Sequence, residues 1–282
     1  MTKVVVTGGS GKAGRAAIRE LLEHDYDVIN VDVMRPAENL VPFYQVDLTD
    51  YGMTVAVLHG ADVVVHMAAN PAPDNNPLEG AERFYGNTMS TYHIFNAACK
   101  LGIQRVVWAS SETTLGLPFD DPQPEFVPID ESHTLYPNSS YALSKVVSEE
   151  MARQFYRWSG TSFVGLRFSN IMSGREAYER FPSFWDDAHK RKGNLWGYID
   201  DRDVAQACRK GIEADVVGAE AVIIAAGDTV MNRPSRDLMA EVYPGVPVRT
   251  LTHPFGTLLS NEGAKRAIGY EPQHSWREFL SI

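Results

Sequence analysis

The chain opens on a short apolar run, Val4-Val5-Val6, followed by Thr7-Gly8-Gly9-Ser10-Gly11-Lys12-Ala13-Gly14. Beyond it, Ala13, Ala17, Ile18, Leu21 and Leu22 fall near one helical face. The local reading is strand, glycine turn, helix. Similar apolar runs predict strands over 27–32, 43–46, 61–69, 103–109 and 163–168. Helices are predicted between them, over 50–59, 80–100 and from 139 onward. Residues 70–79 form a Pro/Asn/Asp-rich loop, and 112–138 is a long irregular stretch rich in Pro and acids. Alternation of strand and helix predicts an α/β fold with a doubly wound parallel sheet. From about residue 171 the pattern changes. Residues 173–197 mix Arg175, Arg180, Phe181, Phe184, Trp185 and Trp196 with polar residues, and a late strand (221–226) and helices (236–242, 262–268) follow. The expected organisation is a nucleotide-binding domain over 1–170 and a small C-terminal substrate cap over 171–282, some of whose segments return to the core.

The glycine stretch matches G-x-G-x-x-G through Gly9, Gly11 and Gly14, and G-x-x-G-x-x-G through Gly8, Gly11 and Gly14. Between a strand and a helix, this is the setting of a dinucleotide-binding loop. Glycines let the backbone approach a pyrophosphate, and the helix start presents free N–H groups to it. A triphosphate-binding loop is excluded, since Val6 replaces its first Gly and Ala13 replaces the Ser/Thr that holds magnesium. Asp32 ends the second strand 18 positions beyond Gly14, where an acid bonds the adenine ribose and repels a 2′-phosphate. That favours NAD, while Arg35 just beyond keeps NADP open.

Composition narrows the classes further. A net charge of −10 over 282 residues, without a basic block, argues against nucleic acid as a partner. No segment approaches the ~20 apolar residues of a membrane span, and the N-terminus enters a strand without a leader pattern, so a cytoplasmic protein is expected. Cys99 and Cys208, far apart in helical-looking stretches, read as buried free thiols of a reducing compartment. No Cys/His spacing suggests a metal.

Tyr141 and Lys145 lie four apart at a helix start and share one face. A neighbouring ammonium is expected to lower the phenol's pKa and make the pair a general acid/base for an alcohol proton. Ser111, at a strand's carboxyl end, is placed to orient a substrate oxygen. With a nicotinamide at the glycine loop, the set suffices for hydride transfer between an alcohol and a carbonyl.

These motifs, with Asp47-Leu48, His66-Met67-Ala68-Ala69, Asn87-Thr88, Ser110-Ser111, Leu166-Arg167-Phe168-Ser169-Asn170-Ile171, Tyr198-Ile199-Asp200-Asp201-Arg202-Asp203-Val204-Ala205 and Ile268-Gly269-Tyr270-Glu271-Pro272, resemble the extended short-chain dehydrogenase/reductases of the NAD-dependent epimerase/dehydratase family. The resemblance spans nearly the whole chain and implies a Rossmann sheet and an enzyme. It implies cofactor contacts from Gly8, Ser10, Gly11, Lys12, Ala13, Gly14, Asp32, Asp47, Leu48, Met67, Ala68, Ala69, Asn87, Tyr141, Lys145, Phe168 and Ile171. Tyr141 would be the acid/base, Lys145 would also hold the nicotinamide ribose, and Ser111 would polarise the substrate oxygen. Asn70, Glu112, Asn170 and Arg175 are the candidate substrate contacts.

Two departures bear on the reaction. Dehydratases of the family carry Asp-Glu after the catalytic hydroxyl, whereas Glu112-Thr113 follows Ser111 here. Nucleotide-sugar epimerases place an Arg in the Arg-Asp-Tyr-Ile-His-Val motif, where this chain has Trp196-Gly197-Tyr198. The expectation is therefore a dehydrogenase acting on a sugar, sugar acid or similar polyol. An epimerase that retains NAD is the alternative, and a non-catalytic cofactor sensor the third. The expected partners are a small sugar-like substrate and, in the assembly, a second copy in a homodimer.

Overall fold

The computed structural model describes residues 1–72 and 77–280. Its first half alternates as the apolar runs predict: β1 (Lys3–Thr7), α1 (Lys12–Glu23), β2 (Asp27–Asp32), β3 (Phe43–Gln45), α2 (Tyr51–Leu58), β4 (Val63–His66), α3 (Pro77–Leu101), β5 (Arg105–Ser111), α4 (Ser140–Ser159) and β6 (Ser162–Phe168). Then come β7 (Ile171–Met172), α5 (Arg175–Tyr178), β8 (Ile199–Asp200), α6 (Asp201–Glu213), β9 (Ala219–Ile224), α7 (Ser235–Val242), α8 (Glu262–Ile268) and α9 (Arg277–Leu280). Part of the 70–79 loop, residues 73–76, lies outside the described residues.

Seven strands pair in parallel in the order β3-β2-β1-β4-β5-β6-β9. Strand side chains alternate between the two faces of a sheet. Val4 and Val6 pack with Ala17, Ile18 and Leu21 of α1 and with Val204, Ala207 and Cys208 of α6. Val5 packs on the opposite face with Leu58 of α2, Phe95 and Ala98 of α3 and Phe155 of α4. Burial on both faces explains why these strands read as unbroken valine runs. Between β1 and β4 the strand order reverses, which opens a crevice at the carboxyl ends of the strands.

The region beyond residue 171 divides between two cores. β9 joins the main sheet, and α6 and α8 pack against it, with Arg209 of α6 paired to Glu20 of α1 at 2.7 Å. Helical spacing of Val204, Ala207, Cys208 and Gly211 gives α6 the apolar stripe that this packing needs. The other core gathers Tyr178, Phe181, Trp196, Tyr198, Leu238, Met239 and Trp276. Leu115, Leu117, Phe119, Val127 and Ile129 join it from the irregular 112–138 stretch, whose backbone bridges to Val248 and Leu259. That stretch lacks helix or strand periodicity because it threads between the cores.

Candidate active site

The glycine loop follows from close packing. Gly8 has φ +70°, and a Cβ there would lie 2.6 Å from the Ala68 backbone nitrogen. At Gly14 a Cβ would lie 2.2 Å from the Gly8 carbonyl oxygen. Neither position admits a side chain, so α1 starts directly against the turn. No side chain caps that start, and Gly11, Lys12, Ala13 and Gly14 line the crevice. Uncapped N–H groups and the positive end of the helix dipole suit a diphosphate. Lys12 spans the crevice, its Nζ donating to the Ile171 carbonyl at 3.0 Å.

Two adjoining chambers share Gly8, Gly11, Met67 and Ala69. One, of about 630 Å³, is lined by Ser10, Asp32, Asp47, Leu48, Ala68, Asn70 and Asn87. Asp32 accepts from the Ser10 backbone N–H at 3.0 Å and the Met34 backbone N–H at 2.9 Å, which joins the glycine loop to the end of β2. Arg35 lines this chamber as well. Asp47 accepts from the Thr49 backbone N–H and hydroxyl and shapes the turn before α2. Asn87 clamps the chain after β4 by accepting from the Asn70 N–H at 2.8 Å and donating to its carbonyl at 3.0 Å. His66 is buried between Thr7 and Thr91, and burial, aided by the Lys145 charge, lowers its pKa to about 3. It is a neutral structural link.

The other chamber, of about 570 Å³, holds Ser111, Glu112, Tyr141, Lys145, Phe168, Asn170 and Ile171. The end of β5 presents Ser111, and the first turn of α4, capped by the Ser139 hydroxyl, presents Tyr141. The Ser111 hydroxyl accepts from the Thr113 N–H at 3.2 Å and hydroxyl at 3.0 Å, and lies close enough to Tyr141 to act on its pKa. The Lys145 ammonium lies 5.6 Å from the Tyr141 ring centre and donates to the Ala109 carbonyl at 2.7 Å. Contrary to the expected lowering, the Tyr141 pKa is pushed up to about 12, by burial first and by the Glu112 charge next, against the lowering influence of Ser111. Burial of the phenolate outweighs its neighbours, and Lys145 itself is lowered by burial to about 8. Tyr141 therefore carries its proton at neutral pH.

One helix face holds this end together. Tyr141, Lys145 and Glu149 recur at i, i+4 and i+8 on α4. Glu149 accepts from the Ser110 hydroxyl at 2.7 Å and takes a two-pronged Arg167 contact at 2.8 Å, all within the interior.

Beyond Ser111, the Glu112 carboxyl is only 5% exposed. Asn194 Nδ2 approaches its Oε1 at 3.4 Å, and Oε2 has no hydrogen-bond partner among the described residues. Burial raises its pKa to about 7, against the lowering influence of Ser169, Asn194 and Arg191. Asn194 also lines the chamber. It was missed in the sequence because it comes 82 positions after Glu112 with no local motif around it.

Arg175 alone among the predicted site residues is absent from both chamber walls. It lies on the surface and pairs with Glu179 one helical turn away at 3.0 Å. Trp196, at the expected Arg position, is fully buried, and its indole donates to the Ala188 carbonyl at 2.9 Å. Phe181 is core as well, with Phe184 and Trp185 packed on its edge. The aromatic stretch is thus cap interior rather than a sugar-stacking surface. Among the described residues no His/Cys/Asp/Glu group could hold a metal, and no helix is long and apolar enough to cross a membrane.

A parallel sheet with a glycine loop, a strand-end acid and an adjacent Ser/Tyr/Lys set defines a Rossmann-type dinucleotide enzyme of the short-chain dehydrogenase kind. Residues 4–226 match the model of the NAD dependent epimerase/dehydratase family, and the chain belongs to that family. The family is described as NAD dependent, and the uncapped α1 start and the paired chambers fit a dinucleotide. A UDP-glucose 4-epimerase of Halalkalibacterium halodurans is 28% identical over 59% of this chain and 50% of its own length. The chain thus spans about half the length of the first epimerase relatives it matches. An L-arabinose 1-dehydrogenase (NAD(P)+) of Haloferax volcanii is 28% identical over 77% of this chain and 84% of its own. The fold matches a Thermotoga maritima UDP-glucose 4-epimerase with a TM-score of 0.76 at 22% identity, covering 99% of this chain and 96% of that one.

Proposed function

We propose that the chain is an NAD-dependent dehydrogenase acting on a hydroxyl or keto carbon of a free sugar, sugar acid or polyol, and that it releases the cofactor at each turnover. The observation that carries this reading is the cap interior. Trp196 is core at the position where a diphosphate-gripping Arg is expected, and the nearby cations each make a contact within the protein, although Arg191 keeps its Nε without a partner among the described residues. Lys190 donates to the Ser183 carbonyl, Arg191 donates to the Gly197 carbonyl, and Lys192 approaches Asp120 at 3.6 Å. An epimerase must anchor its nucleotide while the keto-sugar turns over, and that anchor needs charge-assisted phosphate contacts. The dehydrogenase from Haloferax volcanii and a UDP-glucose 4-epimerase of Corynebacterium glutamicum both align over most of both chains, so the cap interior carries the choice between the two reactions.

Asp32 would hold the adenine ribose, the α1 start the diphosphate, and Lys145 the nicotinamide ribose. A nicotinamide held there would supply or accept the hydride at the carbinol carbon of the substrate. Ser111 orients the substrate oxygen by hydrogen bonding. In reduction, Tyr141 gives its phenolic proton to the oxygen of the carbonyl. In oxidation the Tyr141 phenolate takes the hydroxyl proton as the C–H bond breaks and the C=O bond forms. Lys145, fixed by the Ala109 carbonyl, keeps a positive charge beside the ring and favours the phenolate. The 3-10 turn after β5 holds Glu112 in the wall of the same chamber, and there it would meet a second substrate oxygen.

The test is to purify the protein, measure whether NAD co-purifies in near-equal amount, and screen sugars and sugar acids for a change in NADH absorbance. Stoichiometric release and net reduction of added NAD are expected. Retained NAD, tight UDP binding and cofactor-neutral interconversion of two UDP-sugars would overturn the reading in favour of an epimerase.

A further inference from the structure

The substrate end of the cleft has an unusual charge balance. Its polar wall is made of Ser111, Glu112, Thr113, Ser169, Asn170 and Asn194. None of these is a cation, and one is a buried carboxyl. The two lysines of this chamber serve elsewhere: Lys12 is at the glycine loop and Lys145 is tied to the Ala109 carbonyl. Arg191 stands behind Glu112 and outside the chamber wall. Its Nη2 donates to the Gly197 carbonyl at 2.9 Å, and its guanidinium lies 5.9 Å from the centre of the Phe184 ring. Its charge offsets Glu112 from the protein side.

We propose that the substrate is an uncharged sugar or polyol, and that Glu112, with Asn194 and Ser169 beside it, selects it over a sugar acid or a sugar phosphate. This rests on the dehydrogenase reading and narrows its substrate class. A buried polar atom without a partner is costly, and Glu112 Oε2 is such an atom. Neither it nor the Ser169 hydroxyl completes a hydrogen bond of normal geometry within the described residues. A vicinal diol supplies both a donor and an acceptor at that point. A substrate carboxylate or phosphate would supply only acceptors, and would place a second negative charge against Glu112 in a chamber whose two lysines, Lys12 and Lys145, are held at the glycine loop and by the Ala109 carbonyl. Arg175, the cation read from the sequence as a candidate substrate contact, faces solvent and pairs with Glu179. Protonation supports the same choice. With a pKa near 7, Glu112 donates to a sugar oxygen as the acid and accepts from a sugar hydroxyl as the carboxylate.

Matched pairs test this: galactose against galacturonate and glucose against glucuronate, with UDP-glucose as a bulky anion. Turnover is read by NADH absorbance. Binding of the same ligands to the NADH-loaded protein is read by NADH fluorescence, so that selection is measured without turnover. The neutral member of at least one pair should be preferred by about tenfold or more, the scale of one mismatched contact. Glu112→Gln removes the charge and keeps the shape, and should narrow that preference by raising the affinity for the acid. NADH binding measured alongside reports whether the variant folds, and the wild-type pairs decide the question if it does not. A preference for the uronate, binding of neither member, or an unchanged ratio in a folded Glu112→Gln protein overturns the proposal. Preferred binding of the neutral sugar without oxidation leaves this selection standing and removes the dehydrogenase reading alone. Interconversion of UDP-sugars removes both.

Discussion

Glu112→Gln should change how folding stability depends on pH, whatever the reaction proves to be. The carboxyl is 5% exposed, and burial raises its pKa from an ordinary 4.5 to about 7. Below about pH 4.5 it is protonated in both the folded and the unfolded chain. Between the two values the unfolded chain releases the proton while the fold retains it, so stability falls as pH rises. Above about pH 7 the loss is complete. The interval between 4.5 and 7 corresponds to about 3 kcal/mol once Glu112 is ionised in both states, and to about 1 kcal/mol near pH 5. Wild-type protein should therefore lose about 2 kcal/mol between roughly pH 5 and pH 8 that the glutamine variant retains. Asp203, raised to about 6 mainly by burial, contributes a similar slope in both proteins and cancels in the comparison. Urea denaturation of both proteins at the two pH values gives the double difference directly. Parallel pH dependence in the two proteins would refute burial as the dominant influence on this group.

Tyr141→Phe removes the proposed proton carrier and keeps the ring, so turnover should fall by roughly 10²–10⁴-fold with NADH binding nearly retained; near-normal turnover would move the acid/base elsewhere. Oxidation by the wild-type enzyme should accelerate toward alkaline pH, because Tyr141 must first lose a proton that burial and Glu112 hold on it. In Glu112→Gln one of those two influences is gone, and the alkaline limb should move to lower pH; a shift in the other direction contradicts that electrostatic account. Asp32→Ala should narrow the preference for NAD over NADP and weaken both, since it also frees the Ser10 and Met34 backbone groups. Titration that shows tighter NADP binding by wild-type protein would make Arg35 the dominant contact instead.

The cofactor half of the cleft was legible in the sequence because its determinants are local. Gly8, Gly11 and Gly14 come within one turn, and Tyr141 and Lys145 within one helical turn. Ser111 and Asp32 end strands whose valine runs mark them plainly. The substrate half is assembled from distant segments, and there local pattern is weaker. Arg175 reads as a candidate anion contact from its type and place in the cap, yet a Glu179 one turn on competes for it. The aromatic faces of Phe181, Phe184 and Trp185 read equally well as a sugar platform or as core. Contacts with residues later in the chain decide for core: Phe181 meets Tyr198 and Trp276, and Trp185 packs against Trp276. The Tyr141 pKa was misjudged because spacing shows which charges are close but not how much water is excluded. Burial decides that value, and burial is a property of the whole fold.

The contact between Glu149, Ser110 and Arg167 has a consequence for how this chain tolerates length change. Tyr141, Lys145 and Glu149 each engage β5 or its neighbour from a single stripe of α4, so the buried pair indexes the helix against the sheet. One residue inserted or deleted between 141 and 149 would rotate the two ends of that stripe by about 100° relative to each other. Either the proton carrier would turn away from Ser111, or Glu149 and Arg167 would be left as separated charges in the interior. Substitutions on the outer face of α4 should leave this indexing untouched, and an insertion or deletion in that helix should be tolerated only in the turns after Glu149.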